Sequence, residues 1–343
     1  MGASKIIPVK KFIRFSAYCL LPTAYCFFSS CSNDNNKDKT ETKILTHQDS
    51  IPTAPKFNED SAYSFVKAQV DFGPRIPGTP AHAKCSDYLF AKLKSYGWEV
   101  QMQNGNIETY DGKKFNLKNI IASYKSENPN RILLFSHWDS RPFADQDKID
   151  PNKPFDSADD GPSGVGVILE IARQLNLKQP NVGIDILFDD LEDYGKEHDN
   201  DADTWGLGAQ YWAKNPHKPG YAAQYGILLD MVGARGATFP REGESNEYAS
   251  YVVKKIWNKA AHLGYSNYFV FQDAGSITDD HVYIIRDANI PCVDIVNMNA
   301  QTGQFGAHHH AHSDNMSVID KNTLKAVGQT ILEVVWDEQK LKI

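Results

Sequence analysis

The sequence predicts an α/β fold: a single domain with a central, mostly parallel mixed sheet flanked by helices. Short continuous apolar runs recur, RILLFS (131–136), GIDILF (183–188), YGILLD (225–230) and IPCVDIV (290–296). Such runs mark strands covered on both faces. They alternate with stretches of helical periodicity, which places helices over a sheet of mostly parallel strands. Polar clusters follow several of the runs directly, and in open α/β sheets sites form at the carboxyl ends of the strands. With 343 residues, 41% of them hydrophobic, the chain can bury one large core. No internal repeat divides it.

The elements follow in order. Tyr63, Phe65, Val66 and Val70 recur near helical spacing behind Glu59 and Asp60, predicting a helix over 58–70. GPRIPGTP (73–80) is loop by its three prolines and two glycines. A second helix spans 81–96, with Tyr88, Leu89 and Leu93 on one side. Strands are predicted at 98–107, 116–124 and 131–136, then a helix at 163–176 and a strand at 183–188. A helix at 208–214 leads to the strand at 225–230. A long helix, 245–263, precedes strands at 267–271 and 290–296, and a helix at 320–338 closes the chain.

The first 57 residues read differently. Lys5, Lys10, Lys11 and Arg14 precede an apolar stretch from Phe15 to Phe28, too short to span a bilayer as a helix. Phe28-Ser29-Ser30-Cys31 and the polar tract behind it resemble a bacterial lipoprotein signal, with Cys31 as the lipidated first mature residue. An ordinary cleaved signal or a short anchor is the alternative. Residues 1–31 are therefore expected to be a signal, 32–57 a flexible tether broken by Pro52 and Pro55, and 58–343 the catalytic domain. Every one of these readings puts the folded part outside the cytoplasm, and the lipid on Cys31 would hold it at a membrane.

The formal charge of −7 carries no basic stripe, so a nucleic-acid partner is not expected. Three of the five cysteines fall in the first 31 residues. Cys85 and Cys292 remain, with no CxxC and no disulfide framework, and a bridge between them is the minor expectation.

Chemistry concentrates in five clusters: His137-Trp138-Asp139; Asp159 and Asp160 in SADDGPSG; Asp189, Asp190, Glu192 and Asp193; Asp230; and His308, His309, His310, His312 and Asp314 in FGAHHHAHSDN. Taken singly, an Asp after a strand is a turn or helix-cap residue. Together they put so many carboxylates on one rim that a cation is needed to hold them. Mixed His and Asp ligands suit Zn²⁺. Asp199, Asp201 and Asp203 do not make a calcium loop, because Thr204 stands where glycine is required and Gln210 where glutamate is.

The order HWDS, ADDGPSG, FDDLEDYG, GLGAQYW, LLDMVG and a late His with Asp four residues on resembles the zinc aminopeptidase superfamily. FGPRIPGTPAH, HWDSRPFAD, EDYG and ITDDH (277–281) resemble its glutaminyl cyclase branch. The resemblance implies Asp160, Asp193 and His310 as ligands of one zinc and Glu192 as general base. It implies that Asp230 and Asp279 handle the amine and amide of an N-terminal glutamine. The substrates would be N-termini of exported peptides and proteins, and the protein a monomer. Two-metal aminopeptidases of the superfamily add ligands that match His137 and Asp230, which is the alternative reading. One departure stands in the pocket: His309 occupies a position where animal cyclases carry tryptophan. Asp314 is a candidate partner for His310 or its neighbours. Trp138, Phe143, Trp205 and Phe305 are candidate pocket aromatics, with plain core roles as the alternative.

Overall fold

The computed structural model describes residues 53–197 and 202–339. Contacts separate residues 52–343 from those before them as one unit. The elements run α1 (Glu59–Val70), α2 (Pro80–Ser95), β1 (Glu99–Glu108), β2 (Lys114–Tyr124), β3 (Arg131–His137), α3 (Pro162–Lys178), β4 (Gly183–Asp189), α4 (Leu207–Lys214), β5 (Gly226–Asp230), β6 (Phe239–Arg241), α5 (Gly243–His262), β7 (Phe269–Asp273), α6 (Asp280–Ala288), β8 (Cys292–Val296) and α7 (Lys321–Glu338). Six strands form the central sheet in the order β1-β2-β4-β3-β5-β8. β1, β2 and β4 pair antiparallel, while β3 pairs parallel with β4 and β5, and β5 with β8.

The apolar runs are continuous because both faces are covered. In β3, Ile132 and Leu134 join the core formed with α1, α3, α5 and α7, while Leu133 and Phe135 join Ala209, Trp212 and Ile284 of α4 and α6. After β3 the chain crosses by α3 to β4, then returns by α4 to β5 on the other side of β3. That reversal opens a crevice at the carboxyl ends of β3, β4 and β5. Their last residues are His137, Asp189 and Asp230.

Four details depart from expectation. Helix α6 lies within and after the polar ITDDH segment, where periodicity is too short to show. A two-stranded parallel pair, β6 and β7, sits apart from the main sheet, and the proline inside three-residue β6 hid that strand. Phe57, assigned to the tether, is in the core: its ring lies over Gly328 of α7, and its N–H donates to Gln329 Oε1 at 2.8 Å. Cys85 and Cys292 are both buried thiols on opposite faces of the sheet, so the bridge does not form.

Candidate active site

The loop between β3 and α3 brings in Asp160. Gly161 has φ +83°, and a Cβ there would lie 2.8 Å from the His137 ring, so glycine is required for the chain to pass the histidine. At Gly164 a Cβ would lie 2.0 Å from the Leu229 carbonyl, which lets α3 settle directly on β5. Asp314 accepts from the Asp159 and Asp160 N–H groups at 2.8 and 3.2 Å. It therefore supports the aspartate loop rather than His310 or its neighbours, its candidate partners from the sequence. Burial, reinforced by Asp159 and Asp160, pushes Asp314 up to about 8.

The loop after β4 presents Glu192 and Asp193. Asp139 organises this pair: its carboxylate accepts from Glu192 N at 3.2 Å and from Asp193 N at 3.4 Å. Asp193 Oδ2 accepts from Arg141 N at 2.9 Å, which leaves Oδ1 turned inward. The backbone here is strained. Leu191, Met231 and His310 all have positive φ (59°, 48° and 50°), and each adjoins or is a site residue. Such non-glycine conformations cost about 1–3 kcal/mol apiece and persist where surrounding contacts hold them.

Asp160, Asp193 and His310 come together. His310 Nε2 lies 3.0 Å from Asp193 Oδ1 and 3.6 Å from Asp160 Oδ2. Those two carboxylate oxygens are buried without a hydrogen-bond partner. Buried carboxylate oxygens left unpaired beside an imidazole are costly unless a cation takes them, and the N,O,O donor set suits zinc. On the far side of the ring, His310 Nδ1 faces Asp145 Oδ1 at 3.4 Å and Glu197 Oε1 at 3.5 Å. Carboxylates placed in this way orient an imidazole and fix which nitrogen it presents to the other side.

His137 Nε2 lies 2.9 Å from Asp160 Oδ1 and 3.2 Å from Asp230 Oδ1. His137, Asp160 and Asp230 bring ligand atoms within 4.8 Å of one another, and Glu192, Asp279 and Asp280 do the same. Burial raises the Glu192 carboxyl well above the ordinary glutamate value, with Asp193 and Asp279 adding to it and His137 opposing. Burial pushes Asp230 up to about 6 and Asp279 up to about 7, Asp230 being the main charge acting on Asp279.

Asp160, Glu192, Asp230, Asp279 and His310 line a cleft of about 270 Å³, walled by Trp205, Phe305, His309, Met231 and Thr278. That is near the small end of ligand pockets. Trp205 and Phe305 are thus cleft residues. Trp138 is not: it is fully buried and stacks on His82 at 4.3 Å. Phe143 lies against the Arg141 guanidinium at 4.7 Å and is not part of the wall. The four histidines of the late tract make different contacts, though His309 and His310 both bring a ligand atom within 4.8 Å of Asp160. His308 binds Asp159 Oδ2 at 2.8 Å, and His309 stacks on His310 with ring centres 3.7 Å apart. His312 reaches the Asp150 carbonyl at 3.1 Å. Asp203 pairs with Arg286, while Asp199 and Asp201 lie outside the described residues.

Asp139, Asp145 and Glu197 are supporting residues that sequence reasoning left without a role. Asp139, two residues after His137, carried the only usable signal.

A doubly covered α/β sheet with an acid- and histidine-lined cleft at its switch point defines an enzyme of the zinc aminopeptidase-like class. The chain belongs to peptidase family M28, which it matches over residues 119–335. Among solved structures it is similar to the Porphyromonas gingivalis glutaminyl cyclase, with 52% identity and a TM-score of 0.79. That match covers 82% of this chain and 98% of that one. It is similar to a zinc-dependent exopeptidase from Parabacteroides distasonis, with 51% identity and a TM-score of 0.81, covering 83% of this chain and 100% of that one. The Drosophila melanogaster glutaminyl-peptide cyclotransferase is 26% identical over 278 residues, 73% of each chain.

Proposed function

We propose that this chain is a zinc-dependent glutaminyl-peptide cyclotransferase, converting an N-terminal glutamine of peptides and proteins to pyroglutamate with release of ammonia. The observation that carries the reading is the meeting of Glu192, Asp230 and Asp279 around one small cleft beside the Asp160–Asp193–His310 set. The glutaminyl cyclase relatives support it.

In the reaction the substrate's α-amine attacks its own side-chain amide carbon. A C–N bond forms, the bond to the amide nitrogen breaks, and the amine proton leaves with ammonia. A zinc ion held by Asp160, Asp193 and His310 would supply a Lewis acid for the amide oxygen. Glu192 accepts no hydrogen bond from the described residues, so its carboxylate is free to take the amine proton and return it to the departing nitrogen. Asp230 and Asp279 are raised toward neutrality, so they can hold protons as well as accept them, and they orient the amine and the leaving group. Nucleophile and electrophile belong to one molecule, so orientation supplies much of the acceleration.

The second reading is a two-zinc aminopeptidase, favoured by the His137–Asp160–Asp230 cluster and by the exopeptidase relative. In that enzyme His137 and Asp230 would hold a second ion. Incubation with Gln-peptides and with a leucine amide, alongside a metal count, separates the two. Ammonia release with one zinc per chain is expected; amide hydrolysis with two zinc ions overturns the proposal.

We also infer an exported, monomeric lipoprotein anchored through Cys31, which lies outside the described residues, with N-termini of exported peptides as substrates. Palmitate labelling in a bacterial host should be lost in Cys31→Ser; labelling that survives the change removes the anchor.

A further inference from the structure

Behind Asp279 runs a line of buried polar groups that the chemistry above does not use. Glu242 is the N-cap of α5 and is fully buried. Its Oε1 accepts from Glu244 N at 2.8 Å and from Ile277 N at 3.1 Å. Its Oε2 accepts from Ser245 N and Ser245 Oγ, each at 2.7 Å, and faces His281 Nε2 at 3.2 Å. So many donors on one carboxylate stabilise its anion. The Ile277 contact also ties down the segment that carries Thr278 and Asp279 into the cleft.

His281 sits in the first turn of α6, two residues after Asp279, and is fully buried. Its Nδ1 faces Asp294 Oδ2 at 3.8 Å. Asp294 lies inside β8, where its N–H donates to Ser245 Oγ at 2.9 Å. Both Asp294 carboxyl oxygens are buried with no donor directed at them. Burial, with Asp279 and Glu242 close by, keeps this carboxyl well above the ordinary range. Asp294 thus stands between His281 and Asp279, and Asp279 is the main charge acting on it.

We propose that Glu242 and His281 are positioning residues for Asp279, fixing it from behind through Asp294 and through the start of α6. The substrate contact stays with Asp279; the pair sets where its carboxyl points. The inference rests on the reading of Asp279 as a substrate-handling group.

The test compares His281→Phe, which fills the space without hydrogen bonds, with His281→Gln, which restores an N–H donor toward Glu242. Wild-type protein is first assayed on Gln-peptides and on a leucine amide. Cyclase activity absent from wild type but amide hydrolysis present defeats the functional reading alone, and the variants are then scored on that hydrolysis. For His281→Phe, kcat should fall on the order of 10–100-fold with KM within about threefold, because a small misplacement of a reacting group costs this much. Zinc content should be unchanged, and His281→Gln should recover most of kcat. Should His281→Phe fail to fold, Asp294→Asn and Asp294→Leu read the same line, with the amide retained and the leucine impaired. Wild-type kcat in folded His281→Phe, or in folded Asp294→Leu, overturns the proposal. So does a loss that His281→Gln shares in proportion to its melting temperature.

Discussion

Replacing Glu192 with glutamine isolates the base from the scaffold, because the structure separates the two. The backbone of residue 192 is held by Asp139 Oδ1 accepting from its N–H at 3.2 Å, and by its carbonyl accepting from Gly206 N at 3.1 Å. Neither contact involves the side chain. The carboxylate itself accepts no hydrogen bond from the described residues, so an isosteric amide breaks no protein contact. A change without lost contacts is expected to move stability by no more than about 0.5 kcal/mol. In a domain of this size that is about 1–2 °C of melting temperature. Asp193 keeps its own ties to Asp139 and Arg141, so the proposed metal donors stay in place. Proton transfer by a positioned side chain contributes about 10²–10⁴-fold, and the amide cannot take the proton. Ammonia release under saturating Gln-peptide should therefore fall by at least about 100-fold, with zinc per chain and melting temperature as in wild type. Glu192→Gln keeping more than about a tenth of wild-type turnover would remove Glu192 as the base, since even the weakest such effect exceeds that. Loss of zinc together with activity would show that the residue holds the site rather than runs the reaction.

Three further outcomes follow from the geometry. His310→Ala should lose bound zinc, measured by atomic absorption after dialysis, and a chelator should inactivate the wild type reversibly on zinc return; full zinc retention would contradict the ligand set. Gly164→Ala forces α3 away from β5, because its Cβ would lie 2.0 Å from the Leu229 carbonyl; it should destabilise by about 3 kcal/mol or more, and a melting temperature within a degree or two of wild type would refute that contact. The Glu242 carboxyl is depressed from 4.5 to about 2 by its His281 and Ser245 bonds, which outweigh its burial. The folded state then binds this proton less readily than the unfolded chain. The stabilisation, on the order of 3 kcal/mol, is fully present above about pH 4.5 and is lost as pH falls through 2. Urea unfolding between pH 5 and pH 2.5 should show a smaller decline for Glu242→Gln than for wild type, and parallel declines would count against the anion.

The parts of this molecule legible in the sequence are those where local pattern and tertiary role coincide. Ile132 through Phe135 could be read as a strand covered on both faces because each face has its own core. Asp160, Asp193 and His310 could be named because each stands at a fixed step within a recognisable motif. Helix α6 escaped because its nine residues begin inside the polar segment that feeds the cleft. Asp145 and Glu197 escaped because they act on His310 across the fold, from loops without periodicity. Asp314 shows how spacing misleads. A step of four from His310 suggests a side-chain neighbour, but that inference needs a helix, and residues 307–313 run as turns with His310 at positive φ. The turn swings the Asp314 carboxylate onto the Asp159 and Asp160 amides instead. The acidic cluster is thereby arranged in two tiers. Asp139 and Asp314 commit their oxygens to backbone N–H groups, while Asp160 and Asp193 keep an oxygen each unpaired and facing His310. Residue type alone cannot tell the tiers apart, because the difference lies in which donors the fold delivers to each carboxylate.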